Sequence, residues 1–140
     1  MSRKERLVAE NNLNTWLNDG QKIASPEFTN MVQMLDAVIL RHILTQATYV
    51  YRRLDEPLIT MRARRKQMRY VRHGYTTVWD GIWGVNDPNQ TYVQRIQLLP
   101  GQHLFRYGDY GEALLPRDLE LTILGIDDVN RWVNAVATPK

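Results

Sequence analysis

The chain has 140 residues, of which 44% are hydrophobic and 24% are charged, and its formal net charge is +3. These proportions exclude an intrinsically disordered chain, and the length predicts one domain over residues 1–140. The absence of cysteine excludes disulfides, thiolate metal sites and cysteine nucleophiles.

The N-terminal part of the chain predicts a pair of helices. A partial apolar face followed by the stop signal Asn18-Asp19-Gly20 predicts a short first helix over Arg3–Asn18. A second helix begins at Ser25-Pro26-Glu27, because serine caps the first turn, proline fits its first position and glutamate favours its dipole. Apolar residues then recur at steps of three and four from Phe28 to Leu54, which predicts one long amphipathic helix.

The second half of this apolar segment also fits a strand. Residues 47–51 are rich in β-branched and aromatic side chains, which favour extended structure. In that alternative the helix stops near Thr45, Ala47–Arg53 is a strand, and Leu58–Arg64 is the returning strand. Periodicity does not separate helix from strand over residues 47–73, so both alternatives stay open.

The most charged segment of the chain is Leu58–His73, which contains no acidic residue. Arginine suits the phosphates of nucleic acids, and it also suits the carboxylates of protein interfaces. A solvated charged face is the third alternative. We predict interface or phosphate-binding roles for its six cationic residues, Arg62, Arg64, Arg65, Lys66, Arg69 and Arg72.

The C-terminal part of the chain predicts a small antiparallel sheet. Its strand-like segments, separated by turns rich in glycine and proline, are Tyr75–Trp79, Thr91–Leu98, His103–Tyr107 and Leu119–Leu124. Asp127 or Asp128 could cap a short terminal helix over Val129–Val136. The predicted fold class is therefore α+β, with a helical layer over 1–56 and a β-rich part over 57–140.

Catalytic signatures are missing from the sequence. The three histidines do not have the spacing of metal ligands, and there is no nucleophile elbow, P-loop or dinucleotide fingerprint. Asp109 and Glu112 form one carboxylate pair that a hydrolase could use, although acids beside glycine are more often turn residues. We therefore expect no catalytic residues, no metal and no cofactor, with a hydrolase using Asp109 and Glu112 as an alternative.

The segment Leu99–Trp132 contains LPGQHLF, RYGDYGEALL and ILGIDDVNRW. It resembles the LysM-like end of some baseplate wedge proteins in the placing of Gly101, Leu104, Tyr107-Gly108-Asp109 and Asn130, although the spacing differs and Pro116 interrupts the expected helix. With its cysteine-free composition, the chain resembles small virion proteins of tailed phages, of the neck, tail-completion or baseplate type. The resemblance implies a non-enzymatic structural adaptor, made in the cytoplasm and carried in the virion.

The expected partners are other protein subunits of an assembly, including further copies of the chain. Nucleic acid bound by Arg62–Arg72 is the alternative. The aromatic interface candidates are Trp79, Trp83, Tyr107 and Tyr110. We expect no membrane span, because no run approaches the ~20 apolar residues that cross a bilayer.

Overall fold

The computed structural model describes residues 12–54, 56–81, 92–107 and 111–138. Helices and strands alternate along these residues. The helices are α1 (described over 12–18), α2 (Pro26–Leu40) and α3 (Leu58–Gln67). The strands are β1 (Thr48–Arg53), β2 (Arg69–Arg72), β3 (Thr76–Trp79), β4 (Val93–Leu98), β5 (Phe105–Arg106), β6 (Glu112–Leu115), β7 (Leu119–Asp127) and β8 (Trp132–Ala137).

The eight strands form one sheet in the order β2-β7-β8-β4-β1-β3-β6-β5. The pair β4–β8 is parallel and the other pairs are antiparallel, so the sheet is mixed. β1 lies inside the sheet, with six residues in register with β4 and Tyr51 opposite Trp79 of β3. Segments far apart in the sequence therefore meet on either side of β1.

One face of the sheet encloses the main core. Leu115 of β6 and Leu121 of β7 belong to the same buried cluster, although four strands separate β6 from β7 in the sheet. The sheet must therefore curl around this core, together with Val50 and Ile96 of the central strands. On the same side, Met61 of α3 packs against β7 and β8.

The first two helices cover part of the other face. Leu13 and Leu17 of α1 and Val32 and Ile39 of α2 are buried against Leu114 of β6. Their cluster contains no residue of β1, β4 or β8. The helical layer thus covers one side of this face, and the described helices leave the central strands uncovered.

The predicted start of α2 is confirmed, whereas its predicted length is wrong. The backbone N–H of Phe28 donates to Ser25 Oγ at 3.2 Å, and Pro26 is the first helical residue. The helix ends at Leu40 instead of Leu54. Residues 48–53 form β1, because six cross-strand pairs with β4 outweigh the weak helical preference of their β-branched and aromatic side chains.

Residues 58–73 divide between a helix and a strand. α3 begins after Pro57, and the chain leaves the helix at Met68, whose φ of 67° is left-handed. Arg69–Arg72 then pairs with β7. The returning strand over Leu58–Arg64, the alternative from the sequence, is therefore wrong.

The predicted terminal helix over Val129–Val136 is also wrong. Asp127 Oδ1 accepts from the N–H groups of Val129 and Asn130, which closes a turn between β7 and β8. Residues 132–137 then pair with both β4 and β7. The predicted fold class, a helical pair beside a small antiparallel sheet, is corrected to a mixed eight-stranded sheet that supplies most of the core, with three helices packed on it.

Candidate active site

One buried carboxylate lies on the sheet where three strands are in register. Glu112 is 4% exposed and pairs with Trp79, which in turn pairs with Tyr51. Residues directly opposite each other share a face of the sheet, so these three side chains lie side by side. Neighbouring strands are ~4.8 Å apart, which places Glu112 roughly 10 Å from Tyr51 across the sheet.

A hydroxyl and a cation belong to the same face. Thr77 and Arg53 each lie two residues from this row along their strands, and side chains two residues apart point the same way. Thr77 is half-buried, whereas Arg53 at the end of β1 is exposed. The face therefore carries a carboxylate, a hydroxyl, a guanidinium and two aromatic rings.

Three arginines meet one carboxylate at the same end of β1. Glu56 lies 3.1 Å from Arg52, 3.3 Å from Arg64 and 3.0 Å from Arg72. Among the described residues, Glu56 therefore contacts three guanidiniums. These four residues, called the Glu56 cluster below, bring together β1, α3 and β2.

Arg52 is held by a second set of contacts. Its side chain is 4% exposed, and its Nε donates to Gln94 Oε1 at 2.5 Å. Gln94 is itself fully buried and donates from Nε2 to the Tyr70 hydroxyl at 2.8 Å. The Arg52 guanidinium is thus fixed in place, because both Gln94 and Glu56 accept from it.

A polar cavity of about 460 Å³ opens beside this cluster. Besides Glu56, Arg64 and Arg72, it is lined by Asn14, Asn18 and His73. Its volume falls within the range of ligand sites in proteins. The guanidiniums of Arg64 and Arg72 in its wall suit an anionic ligand.

A close contact places α1 at the wall of this cavity. Asn14 accepts from the N–H of Tyr75 at 2.8 Å and donates to the carbonyl of Tyr75 at 3.0 Å. A Cβ at Gly74 would lie 2.6 Å from Asn14 Oδ1, so only glycine allows this approach. The pair of bonds therefore depends on the residue that precedes Tyr75.

A separate ionic cluster joins α2 to the turn after β6. Tyr75 donates to Asp36 Oδ1 at 2.6 Å, and Arg117 Nε lies 3.0 Å from Asp36 Oδ2. Burial, and then the hydrogen bond to Asp36, raise the pKa of Tyr75 far above its usual value. The Tyr75 hydroxyl therefore stays protonated and acts as a fixed donor.

The structure disperses the basic residues predicted from the sequence. Arg64 and Arg72 belong to the Glu56 cluster, Arg69 lies 3.7 Å from Glu120, and Arg62 lies 2.7 Å from Asp128. Hydrogen bonds from Tyr92 and Arg62 lower the pKa of Asp128. Arg65 and Lys66 are exposed on α3. An interface or phosphate-binding role for the whole set stays a prediction.

The predicted aromatic candidates are also separated. Trp79 lies on the row with Glu112, whereas Tyr107 stacks on Phe105 at a centroid distance of 5.8 Å within the helix-covered cluster. Trp83 and Tyr110 lie outside the described residues, as does Asp109. Glu112 is therefore the one member of the predicted carboxylate pair that the structure places.

Sequence reasoning missed the residues around β1. Tyr51, Arg52, Arg53, Glu56, Thr77 and Gln94 all belong to the site described above. One signal was available, because alternation along TYVYRR puts Arg52 on the same side as Val50, which marks it as a buried cation. Buried arginines are uncommon and are usually paired.

Neither a metal site nor a membrane-spanning helix occurs within the part of the chain that the structure describes. No group of three or more His, Asp or Glu side chains there could hold a metal ion. No helix within the same residues is long and apolar enough to cross a membrane.

Comparison with known proteins identifies the fold. No protein-family model matches the sequence, and no curated protein is similar to it. Solved structures do match. C3larvin from Paenibacillus larvae, an ADP-ribosyltransferase toxin, has a TM-score of 0.73 and 19% identity, covering 97% of this chain and 84% of that protein.

Two further structures agree. An ADP-ribosyltransferase from Clostridium botulinum has a TM-score of 0.73 at 14% identity, covering 97% of this chain and 87% of its own. C3stau2 from S. aureus, solved with NAD, has a TM-score of 0.66 at 19% identity, covering 94% of this chain and 80% of that protein. The chain has the ADP-ribosyltransferase fold.

This fold corrects the interpretation drawn from the sequence. The solved structures named above are ADP-ribosyltransferases, so the resemblance to phage virion proteins is wrong, and so is the structural adaptor hypothesis that came with it. The nucleic-acid-binding and hydrolase alternatives are not supported by these structures either. The expectation of a non-enzymatic protein is likewise contradicted by enzymes of this fold. The short motifs that carried the resemblance consist largely of turn-forming residue types, which are common to many folds.

Proposed function

We propose that the protein is an ADP-ribosyltransferase that uses NAD as donor. The fold supports this proposal, since C3stau2, a protein of the same fold, was solved with NAD. Fold alone does not fix function. The site must therefore supply groups that suit the donor and the reaction.

The reaction breaks the bond between the nicotinamide nitrogen and C1 of the adjoining ribose. The bonding electron pair leaves with nicotinamide, C1 gains positive charge, and a nucleophile of the acceptor forms the new bond and loses a proton. A carboxylate near C1 stabilises this charge, as carboxylates do when other glycosidic bonds break. Glu112 supplies such a carboxylate, and its burial strengthens the interaction because little water screens it.

The other residues suit the rest of the dinucleotide. A diphosphate carries two negative charges, and the Glu56 cluster places the guanidiniums of Arg64 and Arg72 at a cavity of about 460 Å³. Arginine binds phosphate oxygens through paired N–H donors. Arg53 follows Arg52 in the chain and lies on the same face of the sheet as Glu112.

The observation that carries the proposal is the position of Glu112. It is the only buried carboxylate among the residues described, and it lies on the row with Tyr51 and Trp79, one strand from Thr77. Its strand pairs with β3 over four residues, and a paired strand places a side chain more accurately than a loop does.

The test compares Glu112→Gln with wild type. Release of nicotinamide from NAD, with water or protein as acceptor, should fall about a hundredfold or more, because the variant keeps the shape and loses the charge. NAD binding, measured by calorimetry, should change little. Glu120→Gln, a strand glutamate on β7 outside the site, is the matched control and should keep wild-type rates. Wild-type protein that neither binds nor cleaves NAD would refute the proposal.

A further inference from the structure

An arginine on the face of the sheet that carries Glu112 contacts two aromatic rings. The Arg95 guanidinium carbon is 3.9 Å from the centroid of Tyr49 and 4.6 Å from that of Trp132. Its Nε is buried and has no hydrogen-bond partner. Within the described part of the chain, Arg95 has no carboxylate partner either.

These side chains come from three adjacent strands. Tyr49 is on β1, Arg95 on β4 and Trp132 on β8, and all point to the face that also carries Glu112. Tyr51 is directly opposite Arg95 and directly opposite Trp79. The Arg95 platform, defined as Tyr49, Arg95 and Trp132, is therefore continuous with the row that ends at Glu112.

Stacking leaves the terminal N–H groups of Arg95 available, although its Nε is buried. Aromatic rings contact the flat faces of a guanidinium, whereas its N–H groups point outward in the plane of the group. The rings also hold the side chain in one orientation, which lowers the entropy lost on binding. A planar carboxylate fits the remaining edge, since two parallel N–H···O bonds form in one plane.

We propose that the Arg95 platform binds a carboxylate side chain of the acceptor protein and so docks an acidic segment beside Glu112. This inference rests on the proposed function. Tyrosine, tryptophan and arginine dominate the residues that carry binding energy in protein interfaces. Tyr49 is 43% exposed, which makes it available to a partner. A phosphate has a better site in the Glu56 cluster, so the platform is assigned to the protein acceptor.

The experiment measures binding without NAD. An acetylated peptide of alternating glutamate and alanine is titrated into the full chain and followed by tryptophan fluorescence and calorimetry. The same peptide with glutamine in place of glutamate is the uncharged reference. The acidic peptide should bind, and Arg95→Glu should weaken it about tenfold or more because a charge-assisted pair becomes repulsive. Arg65→Glu, an equal charge change on an exposed part of α3, should alter affinity by less than about twofold.

Arg95→Gln separates binding from folding. It leaves a planar neutral group between the rings, and it should bind the acidic peptide no better than Arg95→Glu. Wild-type affinity in Arg95→Gln, equal weakening by Arg65→Glu, or tighter binding of a single-stranded oligonucleotide than of the peptide would overturn the proposal. Since the titration contains no NAD, peptide binding and NAD cleavage fail independently of each other.

Discussion

Two ionic clusters of this protein are built in opposite ways. Around Glu56, three guanidiniums share one carboxylate. Around Arg117, one guanidinium lies 3.0 Å from each of two carboxylates, Asp36 and Asp118. The first cluster lies beside a cavity, whereas the second joins α2 to the turn after β6. A carboxylate among several guanidiniums thus suits an anion site, whereas a guanidinium between carboxylates suits a structural contact.

Removing the buried arginine of the first cluster should have the largest effect. Arg52→Ala should lower the free energy of unfolding by about 3–5 kcal/mol, because Glu56 and Gln94 lose a buried partner. Urea denaturation measures this loss. Arg53→Ala, a change at the exposed neighbour on the same strand, should cost less than about 1 kcal/mol. Equal losses in the two variants would show that the Arg52 contacts contribute little.

A substitution in the cluster around Arg117 should lower the free energy of unfolding without changing ligand binding. Arg117→Ala removes hydrogen bonds to two carboxylates that are partly exposed, so the expected loss is about 1.5–3 kcal/mol. NAD affinity measured by calorimetry should stay within about twofold of wild type, since Arg117 lies outside the Glu56 cluster. A large drop in NAD affinity would contradict the distinction between the clusters.

Removing the carboxylate of the Glu56 cluster should strengthen anion binding. Glu56→Gln removes the carboxylate that competes for three guanidiniums, so affinity for pyrophosphate and NAD should rise about tenfold, or ~1.4 kcal/mol. Calorimetry at two salt concentrations measures it, with a steeper salt dependence expected in the variant. Asp36→Asn removes a carboxylate from the cluster around Arg117 and should not raise the affinity for pyrophosphate or NAD. Unchanged affinity in Glu56→Gln would show that the cluster does not receive the anion.

The smallest expected effect concerns the hydroxyl of Tyr75. Its pKa is raised in the folded state, so its contribution to stability is complete below the usual value of 10.0 and is lost as pH rises above that value. Tyr75→Phe should cost about 1 kcal/mol at pH 8. The difference between wild type and variant should shrink from pH 10 upward, as measured by urea midpoints. If the difference in stability between wild type and Tyr75→Phe grew with pH, the raised pKa of Tyr75 would be refuted.

Local signals in the sequence predicted local structure. Ser25 and Pro26 fix the start of α2, because the cap and the proline act within one turn. At Asp127 the same kind of signal predicts a helix start, whereas the structure has a turn. An aspartate accepts from the two N–H groups that follow it in both a helix cap and a turn, so the sequence does not separate them. Composition also predicts strands over Thr91–Leu98 and Leu119–Leu124, which the structure places at Val93–Leu98 and Leu119–Asp127. Composition does not predict which strands these pair with, because pairing depends on register between distant segments.

The site shows the same limit more strongly. Glu112, Trp79 and Tyr51 become neighbours only through two strand pairings, and no local pattern of the sequence marks those pairings. The Glu56 cluster likewise needs the ends of β1, α3 and β2 to converge. Local periodicity carries no information about this convergence. The sequence therefore predicts one basic surface over Arg62–Arg72, whereas the fold divides these residues between α3 and β2.

The position of β8 has a consequence for synthesis on the ribosome. Among the eight strands β8 is made last, yet it lies between β4 and β7 in the interior of the sheet. Until residues 132–137 emerge, both neighbours keep an open edge that other chains could join. The sheet can therefore close only after β8 has left the ribosome, and a nascent chain stalled near residue 125 would be prone to aggregation.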